Sequence, residues 1–266
     1  MLNMNLFGLQ LGKTTNYLDT PPSELPEVKV CAYTLCYNEE IILPFFLRHY
    51  LSFCDEVVVY DNGSTDNSVK IVNSFKNTRV VRYNAGELRD DLHVTMKDNI
   101  WKEARGRFDF VVVVDSDEFI YAPQMKKLLA FCKNEGKTIL YPKGYEMVGE
   151  ALPPDTGMIY DHIKKGVPNK IYNKCAIFDP NKIKEIRYAP GAHKIAPKGR
   201  VRYFSSPELK LLHYKFLSKE RYLNKIKDGR QSEDNRKKNY GFALDLPMDY
   251  HVKLYDDMLA KAEKVI

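Results

Sequence analysis

Three carboxylates meet at one point of this chain, where the four valines Val111 to Val114 run into Asp115-Ser116-Asp117-Glu118-Phe119. A β-branched run this apolar predicts a strand buried on both faces, as in a parallel sheet. Acids at its carboxyl end leave the core where ligands of open α/β sheets bind. Two aspartates flanking one small residue offer hard oxygen donors to Mg²⁺ or Mn²⁺, and such an ion can bridge a diphosphate. An isolated Asp-x-Asp serves equally as a helix cap or turn cluster, so its surroundings must decide.

Two more polar clusters follow apolar runs. Tyr37-Asn38-Glu39-Glu40 comes after a strand predicted at 28–35, and Asp61-Asn62-Gly63-Ser64-Thr65-Asp66 after one at 56–60. In a parallel sheet both fall on the same carboxyl edge as Asp115 and Asp117. A strand-end Asp or Asn can hydrogen-bond a nucleobase or ribose, and Gly63 permits close backbone approach. The plainer reading is that Asn62-Gly63 turns the chain and Ser64 or Thr65 caps the next helix.

The elements that must hold these clusters follow from hydrophobic period. Helices are predicted at 39–53, with Pro44 tolerated near the first turn, at 67–75 and at 91–105, with a third strand at 78–83 before the valine strand. This βαβ alternation, with right-handed crossovers, predicts an α/β fold with a mostly parallel sheet. Residues 1–27, with Pro21, Pro22 and Pro26, read as leader and linker, and 28–266 as one domain. Its parts are a regular βαβ half at 28–120, an irregular, substrate-shaping half at 121–246 and a C-terminal helix at 247–266. Strands are predicted at 138–141 and 170–178, with the Gly- and Pro-rich stretch 144–166 as loop.

The formal charge of +6 favours anionic partners without choosing among nucleotides, phosphates and acidic membrane. Five cysteines, odd in number and without close CxxC pairs, fit a reduced compartment rather than a zinc site. No signal peptide or membrane-length apolar window is evident, so a cytoplasmic protein is expected, with any membrane contact peripheral at the inner face.

Together, Tyr37 to Glu40, Asp61 to Asp66 and Asp115 to Phe119, with Leu212-His213-Tyr214 and then Ser218, Lys219, Glu220, Lys225 and Gly229 far downstream, resemble the family 2-type glycosyltransferases of GT-A fold, in the subgroup with an Asp-x-Asp-Glu-Phe motif. The resemblance spans about residues 28–230. It implies transfer of a sugar from a nucleoside diphosphate donor, UDP-linked, to a hydroxyl of a glycan or lipid-linked glycan in surface polysaccharide or glycoconjugate synthesis. Tyr37 and Glu39 would line the nucleotide pocket, Asp61 and Asn62 would read base or ribose, and Asp115, Ser116 and Asp117 would lie along the donor diphosphate. Asp115, Asp117 and His213 would hold Mn²⁺ or Mg²⁺. Relatives often have a second aspartate where Asn62 stands, and a lysine where Leu217 stands.

Other residues carry two readings each. His213 can also be a strand histidine buried on backbone. His193 either touches diphosphate or acceptor or sits on a loop. Arg89 can pair with phosphate, although Arg89-Asp90-Asp91 also suits the start of a helix. Glu146 and Glu150 are candidate general bases if the reaction inverts, or plain acids otherwise. From Lys215 to Lys238 nine basic residues alternate with Leu217, Tyr222, Leu223 and Ile226, which suits an anionic lipid surface or a solvated helix face. No nucleic-acid module is present. The alternatives are a nucleotidyltransferase, which calls for a Gly-rich basic loop where Cys36-Tyr37-Asn38-Glu39-Glu40 stands, and a catalytically silent carbohydrate-binding or assembly subunit.

Overall fold

A computed structural model describes residues 17–85, 89–228, 233–238 and 242–266. Its first part alternates β1 (Val30–Cys36), α1 (Leu43–Leu51), β2 (Glu56–Asp61), α2 (Ser68–Ser74), β3 (Thr78–Arg82), α3 (Asp90–Asn99) and β4 (Phe110–Asp115). The valine run is buried throughout, and each such side chain contributes roughly 1.5–3 kcal/mol by leaving water. α1 begins later than the apolar spacing predicts. Pro44 lies at its start, where a missing N–H does no harm, and residues 39–42 form the turn before it.

The chain continues with β5 (Glu118–Tyr121), α4 (Met125–Asn134), β6 (Ile139–Leu140), β7 (Lys143–Val148), α5 (Ile159–His162), β8 (Lys165–Pro168) and β9 (Ile177–Phe178). A ribbon of β10 (Ile183–Glu185) and β11 (Lys198–Gly199) leads to β12 (Tyr203–Phe204) and β13 (Lys210–Phe216). The end comprises α6 (Lys219–Lys227), α7 (Glu233–Lys237), α8 (Met248–Lys261) and β14 (Glu263–Lys264).

One sheet has the order β12-β6-β9-β4-β1-β2-β3, in which β4, β1, β2 and β3 are parallel and β9 runs against β4 and β6. A second has the order β14-β8-β7-β13-β5. From β1 the chain moves to β2 on one side and, through α3, returns to β4 on the other. The strand order therefore reverses between β1 and β4, which is where an open sheet forms its ligand crevice.

Several expectations need correction. Residues 144–166 are not loop throughout: β7 and β8 pair antiparallel at their two ends, with irregular chain from 149 to 158 and α5 between them. The glycines read as loop punctuation instead mark close packing, since a Cβ on Gly144 would lie 2.4 Å from the Tyr172 carbonyl carbon and one on Gly166 2.6 Å from the Glu146 oxygen. Of the strand expected at 170–178 only β9 forms, because the Asn169 side chain accepts the Ile171 N–H and starts a 3-10 turn at Lys170–Tyr172. The helix expected to reach residue 105 tightens into a 3-10 turn at Ile100–Ala104, which seats Trp101 edge-on against Phe178 with ring centroids 4.8 Å apart. The stretch before residue 28 is more than linker: Tyr17 is buried in the core and donates its hydroxyl to the Pro123 carbonyl at 2.8 Å. Residues 1–16 of that stretch lie outside the described residues. All five cysteines are unpaired and buried. Among the described residues no helix is long and apolar enough to cross a membrane.

Candidate active site

Parallel register brings the strand ends level, with Leu35 beside Asp115 and Cys36 beside Asp61. Outside them opens a cleft of about 820 Å³, lined on the β1 side by Tyr37, Asn38, Glu39 and Asn62 and on the β4 side by Asp115, Ser116 and Asp117. Ser116 and Asp117 form the joint between the two sheets, since β4 ends at Asp115 and β5 begins at Glu118.

The second sheet delivers His213 to this joint. Within β13 it stands level with Glu118 of β5 on one side and with Glu146 of β7 on the other, while the Asp117 carbonyl accepts the Tyr214 N–H at 2.8 Å. His213 Nε2 lies 3.5 Å from Asp117 Oδ2, and Nδ1 lies 2.9 Å from Glu146 Oε2. The Tyr172 ring stacks on the imidazole at a centroid distance of 4.2 Å. Burial alone pulls the His213 pKa down, but Glu146 and Asp117 outweigh it and raise it to about 10. Burial likewise raises the Asp117 carboxyl, and His213 more than offsets this, leaving it well below the usual carboxylate range.

Asp115 has different company. Lys97 Nζ is 2.6 Å from its Oδ1, and Lys174 Nζ is 3.7 Å from its Oδ2. Partial burial raises the Asp115 carboxyl, yet Lys97 and Lys174 hold it well below the usual range. Lys174 also reaches Glu118 at 2.6 Å, both groups nearly inaccessible to water, and Glu118 accepts the Asp115 N–H at 3.1 Å. Burial raises Glu118 against the pull of Lys174. Burial lowers Lys174, and Glu118 and Asp115 overcome it to leave the ammonium raised. The backbone of the acidic turn is thus tied to a buried ion pair.

On the nucleotide side the two loops are laced together. Asn38, itself at φ 51°, accepts the Thr65 N–H with its side chain and donates its own N–H to Ser64 Oγ, while the Glu39 and Glu40 N–H groups donate to Ser68 Oγ and Asp66 Oδ2. Asp61 is buried beneath the cleft and accepts the Ser64 N–H, so its observed contact is the turn-forming one. Asn62 is on the wall, with its Oδ1 taken by the Ala85 N–H at 2.7 Å. Glu39 receives Arg221 at 2.9 Å and also pairs with Lys225.

The structure does not gather every expected residue. Arg89 is half-exposed and pairs with Asp91 at 2.7 Å, away from the cleft wall. His193 sits behind the wall formed by Gly191 and Ala192, its ring edge-on to Tyr172 at 5.3 Å. Glu146 is buried, with His213 as its closest partner, and Glu150 is exposed beyond the end of β7. In the basic stretch Lys219 pairs with Asp256 on the surface, whereas Arg221 and Lys225 face Glu39 at the cleft; Gly229 and Arg230 lie outside the described residues. Leu217 is fully buried, whereas Lys215, two residues from His213 on the same face of β13, lines the cleft. Lys97, Lys174, Tyr172 and His93 also belong to the site and were not singled out from sequence. For Lys174 no local signal exists. Asp90, His93, Val94 and Lys97 have the i, i+3, i+4, i+7 spacing of one helix face, a legible sign that α3 faces the cleft.

Among the described residues no three His, Cys, Asp or Glu side chains are gathered as a ready cation cage. A separation of 3.5 Å between Asp117 Oδ2 and His213 Nε2 is one that two bonds of roughly 2.1 Å can span, so these two fit a shared divalent ion. A nitrogen donor beside a carboxylate suits Mn²⁺ better than Mg²⁺. Asp115, engaged by two ammonium groups, could join only if Lys97 turned away.

Residues 31–153 match the family model for glycosyl transferase family 2. No curated protein matches the chain. Among solved structures it is similar to S. aureus TarS, at 18% identity and TM-score 0.45 over 78% of this chain and 41% of that one. TarS 1–349 in complex with UDP gives 17% and 0.45, over 85% and 70%. Glucosyl-3-phosphoglycerate synthase from Mycobacterium tuberculosis, in complex with Mn²⁺, UDP and glucosyl-3-phosphoglycerate, gives 19% and 0.30, over 45% and 44%. The chain spans less than half the length of the first of these. Residues 31–153, which carry the parallel strands of a mostly parallel central sheet, are thus similar to glycosyl transferase family 2.

Proposed function

We propose that the protein transfers a sugar from a nucleoside diphosphate sugar, with UDP as the nucleotide, to a hydroxyl of a glycan or lipid-linked glycan, and that transfer depends on a divalent cation, Mn²⁺ before Mg²⁺. The observation that carries this reading is the meeting of Asp117 with His213, brought from distant parts of the chain by the β5–β13–β7 register. A structural histidine in a strand has no need of a carboxylate on each nitrogen.

Asp117 and His213 would hold the ion, which when bound neutralises charge on the departing diphosphate. Glu146 accepts from Nδ1 and fixes the ring, leaving Nε2 directed at Asp117. Tyr37, Asn38 and Asn62 stand where the nucleoside enters. Lys215 adds a cation on the diphosphate side, in place of the lysine replaced by Leu217. In transfer the bond from the sugar's anomeric carbon to the diphosphate oxygen breaks and one to the acceptor oxygen forms, with the acceptor proton passing to a base or to solvent. The inward ion pairs of α6 favour acceptor approach at the cleft mouth over a membrane-binding helix.

Calorimetric titration with UDP, with Mn²⁺ and then with EDTA, tests the reading. Binding is expected only with the cation. Equal affinity in EDTA would remove the metal bridge, and no binding in either condition would remove the nucleotide. The nucleotidyltransferase alternative is disfavoured by the loop after β1, where Tyr37, Asn38 and the Glu39 carboxylate rather than phosphate-cradling glycines face the cleft.

A further inference from the structure

α3 presents an unusual face to the cleft. Asp90, His93, Val94 and Lys97 all line it, one stripe spanning about 10 Å at 1.5 Å per residue. Helices that cover a sheet normally place apolar residues at this spacing, so a polar stripe is selected by something other than packing. The lower end is fixed, since Lys97 meets Asp115 at 2.6 Å. The upper end lies beneath α7, because the Asp90 N–H donates to Asn235 Oδ1 at 3.0 Å. Across the cleft floor α3 packs on the 3-10 turn Pro190–Ala192. Gly191 there stands at φ 73°, and a Cβ would lie 2.8 Å from the His193 ring, so glycine is what lets that ring sit against the wall.

Two polar atoms in this corner lack protein partners. Nε2 of His93 and Nδ1 of His193 are buried and make no hydrogen bond among the described residues. Buried polar groups are nearly always paired, and of these two rings only His93 lines the cleft, so it is the one a ligand there can meet. Burial lowers both imidazoles, His193 to about 4, which keeps them neutral. A neutral imidazole offers one donor and one acceptor, both of which a sugar hydroxyl can use.

Resting on the nucleotide-sugar reading above, we infer that the Asp90–His93–Val94 stretch of α3 is the sugar-reading wall: His93 hydrogen-bonds a hydroxyl of the transferred sugar, Asp90 accepts from another, and the sugar is uncharged, a hexose or N-acetylhexosamine. The Asp90 carboxylate makes no ion pair among the described residues and disfavours a hexuronic acid there, since the ammonium of Lys97 is engaged by Asp115. His93 is a specificity-determining residue in this scheme.

The test is equilibrium binding, with Mn²⁺ present, of UDP, UDP-glucose, UDP-galactose, UDP-N-acetylglucosamine and UDP-glucuronic acid to the wild type and to His93→Ala, His93→Gln and Asp90→Asn. At least one neutral UDP-sugar should bind the wild type more tightly than UDP and about tenfold more tightly than UDP-glucuronic acid. His93→Ala should weaken that sugar about tenfold and leave UDP unchanged, as expected when one buried hydrogen-bond partner is removed. His93→Gln, which keeps a hydrogen-bonding group, should fall between, and Asp90→Asn should narrow the gap to UDP-glucuronic acid. Equal losses for UDP and UDP-sugar in His93→Ala, no difference between any neutral sugar and UDP, or UDP-glucuronic acid binding as tightly as the best neutral sugar would each overturn the inference. Those results leave UDP binding by the wild type intact and so spare the nucleotide reading, whereas absence of UDP binding in the wild type fails both.

Discussion

Replacing Glu146 with Gln separates two roles for that residue. As a general base it would act on the acceptor; as the partner of His213 Nδ1 it acts only through the imidazole. The geometry favours the second, with a 2.9 Å contact between side chains 7% and 8% exposed. Removing the carboxylate that orients a metal-ligating histidine typically costs 10–100-fold in metal affinity, or roughly 1.4–2.7 kcal/mol. There is also a proton to follow. With its pKa raised to about 10, His213 is protonated at pH 8 in the metal-free protein, so an ion binding Nε2 must displace about one proton. Mn²⁺ affinity should therefore rise with pH, by up to about tenfold per unit below that pKa. Glu146→Gln weakens the hold on the proton, so fewer protons should leave per ion even as affinity drops. Calorimetry in two buffers of different ionisation enthalpy reads both quantities. Unchanged Mn²⁺ affinity and proton release with turnover lost would refute the positioning role and restore Glu146 as a base.

Lys174→Met leaves Glu118 buried without its cation, and should destabilise the fold by about 3–5 kcal/mol in urea denaturation; a loss under about 1 kcal/mol would show the pair to be dispensable. His49 is buried and held down to about 4 by its burial, despite the Ile120 carbonyl, whereas the unfolded chain takes up a proton near 6.5. Its contribution is therefore present above pH 6.5 and is lost as pH falls toward 4, about 3 kcal/mol in all, and this pH-dependent part should vanish in His49→Gln. Asp61→Ala should lower the melting temperature through its turn contact with Ser64, with only an indirect effect on UDP; a selective loss of UDP affinity would return Asp61 to the nucleotide pocket.

The parallel half of the fold was legible because its signals are local. Four valines, strand-end polar clusters and helical spacing all lie within windows of ten or fifteen residues, and the sheet order places them as expected. The second sheet was illegible for the opposite reason. β7 and β13 pair across more than sixty residues, β8 has four residues, and Gly144 and Gly166 look like loop until the backbone packed against each is seen. Asp115, Asp117 and His213, which motif order singles out, all line the cleft, but motif order does not distinguish their surroundings. Only coordinates show that Lys97 and Lys174 occupy Asp115 while Asp117 faces the histidine. The α3 stripe has a local signal too, but a charged helix face usually means solvent.

The acidic turn lies where two sheets join, and that location explains much of its chemistry. Asp115 ends a strand of the first sheet, held level with Leu35 of β1, while Glu118 opens a strand of the second, held level with His213 of β13. Neither end can shift without breaking register, since slipping a strand by one residue turns its side chains to the opposite face. Ser116 and Asp117 are thus fixed from both sides, and the Asp117 carbonyl is tied to Tyr214 as well. A site built on paired strands keeps its geometry better than one on a free loop. The cost is a concentration of charge: Asp115, Asp117, Glu118 and Glu146 all face this joint. Lys97, Lys174 and His213 compensate it in the ligand-free chain, each from a different element. A cation entering between Asp117 and His213 would replace only the last of these, because the His213 proton is the one positive charge there that can leave without moving a side chain.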